Sequence, residues 1–132
     1  MWKETIICIV LVIAIIIGNY MTQNYTKKSV KELSNKLNVL KEDILNVEEH
    51  KITIEQAKKT MEEVKKEWEV RHDKLAYYIE HDELEKVETD LTSLNSFLEA
   101  EEYAEAISEL DKGVFVLKHI EDKYAFNLEN VF

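Results

Sequence analysis

Residues 29–47 read SVKELSNKLNVLKEDILNV, which sets Val30, Leu33, Leu37, Leu40, Ile44 and Val47 at alternating steps of three and four. An α-helix turns once every 3.6 residues, so these side chains form one narrow apolar stripe with the spacing of a heptad seam. Such a stripe has to be covered, either by other helices of the same chain or by a second copy in a homodimer. Ser29-x-x-Glu32 at its start is either a capping box that breaks the chain or part of one continuous helix.

Downstream the same periodicity recurs three times. It pauses at His50-Lys51-Ile52, and Thr53-x-x-Gln56 has the form of a new capping box. A second stripe follows in Ala57, Met61, Val64, Trp68, Leu75 and Ile79, closed by His81-Asp82. Asp82-x-x-Glu85 caps a third helix with Leu84, Val87, Leu91, Leu94 and Leu98 inward. After a turn near Ala100-Glu101-Glu102, a fourth stripe holds Ala106, Ile107, Leu110, Val114, Leu117 and Ile120. The spacing predicts helices over about 29–50, 54–80, 83–99 and 102–127, and connections this short make sequential neighbours antiparallel. Trp68, Leu91, Leu94, Leu110 and Leu117 are the expected core. Zero Pro and two Gly leave almost no turn chemistry for a β-rich fold. The expectation is all-α: an N-terminal transmembrane helix (1–26) followed by an antiparallel four-helix bundle-like domain (27–132).

Upstream of the seam, Thr5 to Thr26 carry no charge, and Ile6 to Ile17 (IICIVLVIAIII) are unbroken apolar. Twenty-two helical residues reach about 33 Å, against a hydrocarbon core of roughly 30 Å. Trp2 at one end, and Tyr20 and Tyr25 at the other, sit where amphipathic rings favour the interface. No small-x-small cleavage site follows the apolar run, since the exit reads Gly18-Asn19-Tyr20-Met21. The segment is therefore read as an uncleaved anchor whose first partner is membrane lipid. A short head with Lys3 argues that the bulk of the chain lies outside the cytoplasm. Lys27, Lys28, Lys31, Lys36 and Lys41 argue the reverse by the positive-inside rule.

Composition excludes several functions. A formal charge of −10 opposes nucleic-acid binding, whose footprint is basic. The charge is uneven, with 8 Lys against 6 acids over 27–60 but 8 bases against 20 acids over 61–132. One Cys cannot make a disulfide framework or a thiolate metal cluster, and Cys8 reads as an apolar side chain in the bilayer. The one metal-like pattern is Glu69-x-x-His72, whereas a bundle di-iron site needs two such helices. No Gly-rich phosphate loop or EF-hand spacing is present. These residues predict no catalytic centre, cofactor, structural metal or small-molecule substrate. The C-terminal Tyr124, Phe126, Leu128, Val131 and Phe132 are unusually apolar for a chain end. Tyr124, Val131 and Phe132 are therefore candidate contacts for the bilayer or a membrane partner, the alternative being that the tail folds back as a lid on the membrane-proximal end of the bundle.

Several blocks carry a resemblance. His81-Asp82-Glu83-Leu84-Glu85-Lys86-Val87 with Leu91-Thr92-Ser93-Leu94 is one; Tyr103-Ala104-Glu105-Ala106 with the ending Asn127-Leu128-Glu129-Asn130-Val131-Phe132 is another. With the anchor and the Trp on the second helix, the chain resembles domain-of-unknown-function family 4363, short proteins of spore-forming Gram-positive bacteria. The resemblance implies a membrane-anchored helical domain that accompanies a multi-pass integral-membrane protein, and supplies no catalytic residue. The resulting expectation is a non-catalytic accessory or interaction protein of the cell envelope, single-pass in the cell membrane. A cytoplasm-facing membrane-tethered adaptor is the alternative, and a metal-dependent or hydrolytic enzyme the more remote one.

Overall fold

The computed structural model describes residues 1–125. It contains α1 (Trp2–Glu48), α2 (Ile54–Leu75), α3 (His81–Glu99) and α4 (Tyr103–Lys123), and no strand occurs among the described residues. The fold is all-α. Helix α1 runs unbroken for 47 residues, about 70 Å at 1.5 Å per residue. Of the two alternatives at Ser29, the continuous helix is the one present. Ser29 lies inside α1, buried, with its Oγ unpaired, and Glu32 turns away to Arg71 instead of capping. With no Pro, nothing between the apolar run and the seam interrupts the backbone hydrogen bonds.

The helices close into a ring. Sequential neighbours pack together, α1 also packs on α4, and the diagonal pairs do not meet. Cross-helix contacts run in opposite order between α1 and α2 and between α3 and α4. Thr26, Glu32 and Asp43 of α1 meet Tyr78, Arg71 and Thr60 in turn. From α3, Glu83 reaches Lys123, while Asp90 lies beside Gly113 of α4. The seam residues Leu33, Leu37, Leu40 and Ile44 are fully buried, so α2 and α4 of the same chain already cover the stripe. Trp68, Leu91, Leu94, Leu110 and Leu117 all lie in this core.

Turns far from the apolar segment are built without glycine. His50 (φ 60°) and Glu101 (φ 59°) take the left-handed position just past α1 and α3. Each is followed by the paired bonds of a Schellman motif: Lys51 N–H to Asn46 C=O at 2.8 Å and His50 N–H to Val47 C=O at 3.0 Å. At the second turn Glu102 N–H reaches Phe97 C=O at 2.9 Å and Glu101 N–H reaches Leu98 C=O at 3.1 Å.

Helix ends differ from the periodic reading. Helix α2 stops at Leu75, not near 80, and Ala76–Ile79 form tight turns bonded to the His72, Lys74 and Leu75 carbonyls. Ile79 is nonetheless buried, four residues after Leu75, so the apolar spacing carries on after the helix has ended. Helix α3 starts at His81 with Glu80 at its N-cap, which puts Asp82 in the first turn, where its charge suits the positive helix end without capping it. Thr53 does occupy the N-cap of α2, in extended backbone, but its hydroxyl makes no capping bond. Helix α4 ends at Lys123, short of the expected 127.

Candidate functional site

Over residues 2–21 every residue of α1 is exposed. Trp2 is 70% exposed, Ile6 46%, Ile17 52% and Tyr20 71%. This stretch is long and apolar enough to cross a membrane. Thr22, Gln23 and Tyr25 are half-buried, and the first fully covered residue is Thr26. The junction where a naked apolar helix enters a packed bundle is the most specialised place in the molecule.

Three groups of side chains build that junction. The α2–α3 turn supplies Tyr78, whose Oη lies 2.7 Å from Thr26 Oγ1 and donates to the Thr22 carbonyl at 3.1 Å. Burial pushes the Tyr78 phenol above its ordinary value, partly offset by the Thr26 bond. Helix α2 supplies Arg71, whose fork bonds Glu32 of α1 and Glu67 of its own helix, the latter at 2.9 Å. Arg71 and Lys74 both lie 5.3 Å from the Tyr25 ring centre, a cation–π arrangement. Around Glu32, burial opposes the charge, but bonding with Glu67 and the Arg71 guanidinium outweigh it and hold the carboxyl below its usual range.

Helix α4 supplies the third group. The Tyr124 Oη accepts the Glu80 N–H at 2.9 Å, and Lys123 Nζ lies 3.3 Å from Glu83 and 3.5 Å from Glu80. Glu83 is buried, which disfavours its charge, yet the Lys123 bond and the nearby Lys86, with His119, hold its carboxyl below the ordinary range. Tyr124 and Ala125 face Asn19, Thr22 and Gln23 across a cavity of about 330 Å³. Tyr124 thus sits against the exit of the apolar helix; Val131 and Phe132 lie outside the described residues.

The sequence marked Tyr25 and Tyr124 but missed Arg71 and Tyr78, which hold the junction together. A signal existed: the second stripe skips from Trp68 to Leu75, and Arg71 fills the missing inward step.

The Glu69-x-x-His72 pattern opens onto a groove of about 530 Å³ between α2 and α3, shared with His81, Glu85 and Glu88. The Trp68 ring forms its floor, edge-on to His72 at 5.4 Å. Among the described residues, no group of three or more His, Cys, Asp or Glu side chains is placed to hold a metal ion. The arrangement is a solvated acidic cleft over a buried indole.

A family model described as a domain of unknown function (DUF4363) matches residues 20–131, and the chain belongs to that family. No curated protein and no solved structure matches the chain.

Proposed function

We propose that this member of the DUF4363 family is a membrane-anchored, non-catalytic accessory protein of the cell envelope in spore-forming Gram-positive bacteria. In this reading residues 1–26 are an uncleaved single-pass anchor. Residues 27–132 form an antiparallel bundle outside the cytoplasm that binds an integral-membrane partner. The observation that carries it is the unbroken α1, apolar and uncovered over 2–21 and core-forming from Thr26 onward. A cleaved leader would have no use for an exit stitched to the bundle by Tyr78, Arg71 and Tyr124. The opposite order of bonds between α1 and α2, and of contacts between α3 and α4, supports the antiparallel arrangement. A rigid, continuous helix transmits the anchor's position directly to the bundle, which suits a part that holds a partner at a set height.

The test is affinity purification of the full-length chain from detergent-solubilised membranes. A stoichiometric multi-pass protein is the expected companion, lost when Ile6–Ile17 is replaced by an unrelated apolar helix or the bundle by an unrelated domain. Recovery of the chain alone, or from the soluble fraction, overturns the reading. The cytoplasm-facing adaptor remains the second reading because of Lys27, Lys28, Lys31, Lys36 and Lys41. Protease added to intact protoplasts removes residues 27–132 in the first arrangement and spares them in the second.

A further inference from the structure

Resting on the anchor reading, we propose a second membrane contact: the α2–α3 turn, Ala76–Glu80, lies in the headgroup layer, with the Tyr77 ring at the interface and Lys27, Lys28 and Lys74 facing lipid phosphates. Height along the single continuous helix α1 sets where the turn stands. A hydrocarbon core of about 30 Å takes roughly 20 residues of α1, which from Thr5, the first residue past the charged Lys3 and Glu4, ends near Asn24. The headgroup layer adds about 5–7 Å on each side, roughly four residues, and so covers Tyr25 to Lys28. Tyr78 is bonded to Thr26 inside that layer and to the Thr22 carbonyl at its inner edge. The turn that carries Tyr78 therefore stands at headgroup level and cannot be lifted clear without breaking the bonds.

What the turn presents there has the matching chemistry. Tyr77 is 88% exposed, an aromatic ring with no packing role, one residue before the tyrosine that fixes its height. Tyr20, also exposed, marks the same interface from α1. Amphipathic rings favour that layer. Lys27, Lys28 and Lys74 are exposed and make no ion pair among the described residues, although the Lys74 ammonium also lies 5.3 Å from the Tyr25 ring centre. Within the turn, Glu80 is met by Lys123 at 3.5 Å, while Asp73 and Asp82 on either side of it are exposed. Lys27, Lys28 and Lys74 outnumber those two acids around Tyr77, a local positive excess in a chain that is acidic overall, which suits anionic headgroups.

Depth-dependent quenching tests this on the full chain in vesicles of phosphatidylcholine and phosphatidylglycerol. In a Cys8→Ala background, single cysteines at Ile13→Cys, Ala76→Cys and Phe115→Cys carry an environment-sensitive fluorophore. Ala76 is exposed beside Tyr77, and Phe115 is 72% exposed on the flank of α4. A nitroxide on the lipid headgroup should quench most emission at position 76, a nitroxide deep in the acyl chain should quench position 13, and neither should touch position 115. Quenching at 76 should weaken in phosphatidylcholine alone and with Tyr77→Ala. If 13 is quenched and 76 is not, the turn stands clear of the lipid and this inference is wrong while the anchor survives. If 13 escapes the deep nitroxide, the anchor reading fails and the inference with it.

Discussion

The indole Nε1–H of Trp68 on α2 donates to Glu88 Oε2 on α3, bridging the helix pair with the sparsest contact in the ring. Trp68 as a whole is 3% exposed. One residue therefore fills the core and ties down its weakest wall.

Trp68→Ala should cost about 3–5 kcal/mol, the range for deleting a large core aromatic. Trp68→Phe keeps most of the apolar volume and loses mainly the Glu88 bond, about 1 kcal/mol. Denaturant melts of the two variants in detergent separate the contributions. Equal losses would mean the bond matters more than the ring.

At the helix exit, Tyr78→Phe removes only the hydroxyl shared with Thr26 and Thr22. Global stability should fall by about 1 kcal/mol, while amides around 22–26 and 76–80 exchange faster than the rest of the core. Uniform exchange across the bundle would show that the junction does not open independently.

Acid should loosen the α3–α4 pair. Glu83 has a carboxyl held below its ordinary value of 4.5. The unfolded chain thus takes up the proton first. The stability this carboxylate contributes is present above that value and is lost as pH falls through the lower, folded one. Melting temperature followed from about pH 7 to about pH 3 should drop less steeply in Glu83→Gln than in the parent, and should start lower at neutral pH. Parallel curves would remove Glu83 from the acid response.

Glu101 holds a left-handed conformation (φ 59°) in which an L side chain costs roughly 1 kcal/mol. Glu101→Gly should raise stability by about that amount. A loss instead would mean that the Glu101 side chain contributes more than its backbone costs.

Gly113 sits inside α4, and a Cβ built there meets Asp90 Cβ at 3.7 Å, an ordinary contact. The space beside it accepts a methyl group. Gly113→Ala should therefore gain about 0.5–1 kcal/mol from helix propensity. Destabilisation in the same melts would show that α3 and α4 need the closer approach.

Apolar spacing alone was enough to read the four stripes, because a side chain's place on a helix depends only on its neighbours three and four positions away. Val30 through Val47, and Trp68 with Leu91, Leu94, Leu110 and Leu117, are legible in that way, as is the uncharged run from Thr5 to Thr26. Spacing could not tell that α1 passes through Ser29 unbroken, since Ser29 and Glu32 can cap one another or serve other partners with the same local sequence. Nor could it end α2, because Ile79 keeps the period while the backbone has already turned. Those outcomes rest on groups far apart in the chain: Arg71 taking Glu32, and Tyr78 reaching back 52 residues to Thr26. Local periodicity encodes which face is apolar; which polar group meets which is settled only when the helices are side by side and each buried donor has to find its acceptor.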